Sequence, residues 1–131
     1  MKYTFLLLAF FAAQSYAMCE KERNTGSDTD IIECYKKEVK KSNKKLNDVY
    51  SEYEKNLDAE EKNKLIELQK TWTRYKSKQC EFEVNGYGSL GGQIYNQCVI
   101  EINRKRILEI NYMSECGMEG NNKFCLDFRP M

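Results

Sequence analysis

Cysteines, carboxylates and lysines are the side chains of this chain that could do chemistry, and histidine is absent altogether. Without imidazole, the usual neutral-pH general base and the commonest metal ligand are both missing, so triad hydrolysis and most zinc chemistry are set aside. Two carboxylates flanking a cleft could still cleave a glycosidic bond. Nearly all of the 20 Asp and Glu residues, however, fall on the polar faces of the helices derived below, and a small helical domain offers little concave space. Neither enzymatic activity nor a cofactor is expected.

The six cysteines, Cys19, Cys34, Cys80, Cys98, Cys116 and Cys125, contain no Cys-x-x-Cys pair, which argues against a metal site and against a dithiol redox motif. In an oxidising compartment all six can pair. Met1-Lys2-Tyr3, the apolar run from Thr4 to Ala13 and Gln14-Ser15-Tyr16-Ala17 have the charged, apolar and small-residue layout of a secretory signal peptide, with cleavage expected after Ala17. The apolar run is far short of the roughly 20 residues that span a bilayer, so no stable membrane insertion is expected. Met18 is a poor match for the small residue that precedes a lipidated cysteine, and lipidating Cys19 would strand an odd thiol. Losing Lys2 with the leader leaves 20 basic and 20 acidic residues, a balance unlike that of a nucleic-acid binder. The expectation is one periplasmic or secreted domain over residues 18–131, acting as a monomer.

Three helices must position these residues. From Thr29 to about Leu57, Ile32, Tyr35, Val39, Leu46, Tyr50, Tyr53 and Leu57 share one helical face. Asp58-Ala-Glu-Glu61 reads as a capping box that starts a second helix almost at once. Its stripe is Leu65, Leu68, Trp72, Tyr75, Gln79 and Phe82. A glycine-rich stretch, Asn85 to Gly92, forms the one long loop. A third helix runs from about Gln93 to Ser114, with Ile94, Tyr95, Cys98, Val99, Ile102, Ile110 and Met113 apolar. Residues 20–28 are charged and polar and read as a cap. The fold class expected is all-α, an antiparallel three-helix bundle stapled by disulfides.

Of the connectivities that six cysteines allow, helix geometry favours Cys19–Cys34, Cys80–Cys98 and Cys116–Cys125. A Cys80–Cys98 bridge between antiparallel neighbours brings Arg106 level with Trp72, and the tight turn at Leu57 and Asp58 brings Asn47 beside Leu68 and Gln69. Asn47, Gln69 and Arg106 then lie within about one helical turn of each other. Arg106 sits on an otherwise apolar face, where it can stack on Trp72 or bond the amides.

Leu46-Asn47-x-x-Tyr50, Gln69-x-x-Trp72-x-x-Tyr75-x-x-x-x-Cys80, Gly88-Ser89-Leu90, Cys98 and Arg106 together resemble the LprI-like lysozyme inhibitor family, over roughly Cys19 to Tyr112. The resemblance implies an all-α, disulfide-bonded periplasmic or secreted domain whose partner is a lysozyme or related glycoside hydrolase. Two positions depart from the family's usual pattern. Lys76 stands where arginine is usual, and Asn103 where threonine is usual.

Three surfaces are candidates for contact. Tyr87, Gly88, Ser89 and Leu90 put an aromatic anchor and a hydroxyl on a glycine-rich hairpin that could enter a polysaccharide-binding cleft. Glu52, Glu54, Asp58, Glu60 and Glu61 could meet a basic lysozyme at the other end of the hairpin. Lys36, Lys37, Lys40, Lys41, Lys44 and Lys45 form a basic face of the first helix, which supports an alternative role: binding anionic envelope material.

Overall fold

The computed structural model describes residues 18–116, which form α1 (Glu20–Thr25), α2 (Asp28–Lys55), α3 (Ala59–Glu83), a 3₁₀ turn (Gly88–Leu90) and α4 (Gly91–Cys116). They contain no strand, so the all-α expectation holds among them. The signal-peptide reading and Cys125 lie outside the described residues. The chain divides into two compact units with the boundary after Lys37.

In the first unit, residues 20–25 of the expected polar cap form a short helix. A six-residue helix has too few internal bonds to persist alone. Here the Cys19–Cys34 bridge, with Cα atoms 5.9 Å apart, holds it. Gly26 ends the helix, its N–H donating to the Glu22 carbonyl at 2.8 Å. A Cβ at Gly26 would lie 2.6 Å from that oxygen, so only glycine fits. Ser27 and Asp30 then cap the start of α2 reciprocally. The Ser27 N–H and hydroxyl both donate to Asp30 Oδ2 at 2.8 Å, and the Asp30 N–H donates to Ser27 Oγ at 3.3 Å.

In the second unit, the predicted capping box is present. The Glu61 N–H donates to Asp58 Oδ1 at 2.8 Å and the Asp58 N–H to Glu61 Oε2 at 3.1 Å. Gly86 and Gly88, at φ +90° and +53°, supply the left-handed backbone that the α3–α4 connection needs. That connection is shorter than expected, because the 3₁₀ turn runs directly into α4 two residues before Gln93. Cys80 bonds Cys98 as predicted, with Cα atoms 5.6 Å apart. Cys116 is also disulfide-bonded.

Contacts between α3 and α4 pair Cys80 with Cys98, Lys76 with Asn103 and Gln69 with Arg106, so the two helices run antiparallel. Leu46 from α2 joins Ile107 and Ile110 from α4 in one apolar cluster, against which Tyr50, Tyr53, Trp72 and Met113 pack. Cys80, Cys98 and Val99 form a second, with Val39, Tyr95 and Ile102. The predicted stripe of α3 needs correction. Leu68, Tyr75 and Phe82 are exposed at 46%, 55% and 74%. The inward face is instead Leu65, Gln69, Trp72, Lys76 and Cys80, rotated by about one position. On the preceding helix Ile32 is likewise at the surface.

Replacing Asp58 by alanine leaves the Glu61 N–H without its acceptor at the start of α3. It should cost about 1 kcal/mol, read as a lower urea midpoint with an unchanged denaturant slope.

Candidate functional site

Where α3 crosses α4, two cations lie beside one indole. The Arg106 Cζ is 5.5 Å and the Lys76 Nζ 4.8 Å from the Trp72 ring centroid. Arg106 is only 5% exposed, so its N–H groups need acceptors. Its Nε and Nη2 both donate to Gln69 Oε1 at 3.1 Å, and Nη1 donates to Glu109 Oε2 at 2.9 Å. The expected grouping of Arg106, Gln69 and Trp72 is therefore present. Asn47 is not hydrogen-bonded into it: this residue is exposed, and it lines a surface depression of about 460 Å³ together with Tyr50, Gln69 and Thr73. Burial pushes the Tyr50 phenol above its usual range, with the Glu54 charge adding and Arg106 opposing.

One turn away sits a network that sequence reasoning missed. Asn103 is fully buried. Its Oδ1 accepts from Lys76 Nζ at 3.0 Å, and its Nδ2 donates to Ser42 Oγ and Asn43 Oδ1, both at 2.8 Å. Ser42 Oγ in turn donates to the Val39 carbonyl at 3.2 Å. Every buried side-chain polar atom among the described residues has a partner. The available signal was that Asn103 lies three residues before Arg106, on the same face of α4. Lys76 and Asn103 are thus bonded to each other across the α3–α4 contact.

The loop candidates are at the surface. Tyr87 is 52% and Leu90 54% exposed, and the exposed Ser89 hydroxyl makes no hydrogen bond within the described residues. Phe82, at the end of α3, joins them as a third large apolar group within nine residues, although its spacing assigned it to the core. Glu61 is engaged in the capping box and Glu60 pairs with Lys64 at 2.6 Å. On the basic face, Lys41 pairs with Glu38 and Lys44 with Asp48, each at 2.6 Å. Cys19, Glu22 and Cys34 are close enough to hold a metal ion, but both sulfurs are committed to a disulfide, which leaves no thiolate ligand. No helix among the described residues is long and apolar enough to cross a membrane.

Asn103→Ala strands the half-buried Lys76 ammonium and empties a packed site, and should cost about 2–3 kcal/mol by chemical denaturation. Lys76 also gives a pH signature. Burial holds its ammonium below the ordinary 10.5. The unfolded chain therefore binds the extra proton between the folded value and 10.5, and stability rises with pH across that window. Tyr50 and Tyr53, both raised by burial, act in the opposite sense over the alkaline range. Comparison with Lys76→Gln, which keeps an N–H donor but does not titrate, isolates the lysine. The native chain should gain on this variant as pH rises towards 10.5, and parallel curves would refute a desolvated Lys76.

The family model described as lysozyme inhibitor LprI matches residues 19–110. No curated protein and no solved structure matches the chain. The matched span covers both disulfides described above, the Trp72–Arg106 crossing and the glycine loop. Because that span is well over half of the sequence, the chain belongs to the LprI lysozyme inhibitor family.

Proposed function

We propose that the protein is exported and inhibits a lysozyme by direct contact, without catalysis of its own. Family membership is the observation that carries this reading. The leader-like residues 1–17 and the absence of a free cysteine among the described residues support an oxidising, extracytoplasmic location. The contact face is the α3–α4 turn. Phe82, Tyr87 and Leu90 offer exposed apolar anchors there, and Ser89 offers an uncommitted hydroxyl. The whole segment is closed into a loop by Cys80–Cys98, so little order remains to be imposed on binding. The acidic group around Glu60 and Glu61 is the weaker candidate, since its carboxylates already cap and pair within α3.

Lysis of bacterial cell walls by a panel of lysozymes, with and without the oxidised protein, tests the reading. Saturable inhibition of at least one class is expected. Phe82→Ala and Tyr87→Ala should each weaken it by about tenfold or more, with helical content unchanged by circular dichroism. No inhibition across the panel would sink the proposal. Inhibition indifferent to both substitutions would move the contact away from this turn.

A further inference from the structure

A second groove, of about 400 Å³, lies between α2 and α4, on residues that the lysozyme reading does not use. Two rows with four-residue spacing form its walls: Lys41, Lys45 and Val49 on α2, and Ile100, Arg104 and Leu108 on α4. Side chains four apart stack along one helix face, so each row is about 12 Å long. The helices run in the same sense here, since Ser42 meets Asn103 and Leu46 meets Ile107 further along both. Cations consequently gather towards one end. Lys45 lies within a turn of Arg104, while Val49 stands with Ile107 and Leu108 at the other end.

The charge at the cationic end is only partly neutralised, by Glu38, which lines the same groove. Lys41 is paired with Glu38 at 2.6 Å. Neither Lys45 nor Arg104 forms an ion pair within the described residues, although both line the same groove. Two like charges brought together repel each other and raise the affinity of the space between them for an anion. A guanidinium in particular offers a planar fork to a carboxylate or phosphate. Beyond them the wall is mainly apolar, with Asn111 beside it: Ile107 is buried and Leu108 is 46% exposed. The volume falls within the range of small-molecule sites.

We infer that this groove binds a single-chain anionic amphiphile, its headgroup held between Lys45 and Arg104 and its chain lying along Val49, Ile107 and Leu108. Such ligands are the free fatty acids and single-chain lipids, and the groove takes the monomer rather than a bilayer surface. A bilayer would be held by the whole lysine face with no need of the apolar wall. The site is independent of lysozyme inhibition and stands or falls separately from it.

Isothermal titration calorimetry of the oxidised protein with laurate, below the concentration at which laurate forms micelles, tests this directly. Saturable binding at one site per chain is expected. A Lys45→Gln and Arg104→Gln double variant should weaken it by about tenfold or more. Leu108→Glu, which sets a carboxylate into the apolar half, should abolish it. All three positions are exposed, so circular dichroism should report an unchanged fold. Equal affinity for dodecyltrimethylammonium would overturn the charge assignment. Failure to bind laurate, even alongside binding to phosphatidylglycerol vesicles, would overturn the site and leave only surface attraction.

Discussion

A guanidinium that is 5% exposed has to be met by acceptors, and this requirement organises the second unit. Gln69 on α3 supplies one oxygen to two of the N–H groups of Arg106, Glu109 supplies another on α4 itself, and Trp72 offers its ring face. These partners serve only if α3 and α4 are held in one register. The Cys80–Cys98 bridge enforces the same register from the far side of Lys76 and Asn103. A slip of a single residue would strand a charge, a fully buried amide and a lysine together. Buried polar contacts of this kind contribute little net stability compared with apolar replacements, but they penalise alternative packings heavily. The apolar clusters around Ile110 and Cys80 supply the attraction, and the polar levels between them decide which arrangement is adopted.

That division of labour also accounts for what could be read from the amino-acid sequence. Register arithmetic from two cysteines and one tight turn was enough to bring Arg106 to Gln69 and Trp72, because helix geometry is rigid over a few turns. The capping box at Asp58 was legible because its two side chains act on backbone groups three residues away. The face of α3 was misplaced because apolar spacing cannot register polar side chains that are buried with partners. Gln69 and Lys76 occupy the inward face, and the apolar residues beside them, Leu68, Tyr75 and Phe82, are turned outward. Asn47 was placed correctly next to Gln69 but one step round the helix from the interior. The helix at Glu20–Thr25 was invisible, since a disulfide rather than propensity holds it.

The displaced apolar residues bear on how a protein with so filled an interior can act. Leu68, Tyr75 and Phe82 are spaced seven apart, so they form one ridge along the outside of α3 that leads to the exposed Tyr87 and Leu90. Isolated apolar groups on a surface need no explanation, whereas an aligned series ending on a glycine turn is a shape that a partner can grip. Gly86 and Gly88 allow the backbone of the turn, and the Cys80–Cys98 bridge ties together the two helices that it joins. A polar crossing that tolerates one helix register is therefore what gives the ridge and the turn a constant relation to each other. An inhibitor that works by occupying a cleft gains most from such constancy, because ordering that was completed on folding does not have to be repeated on binding.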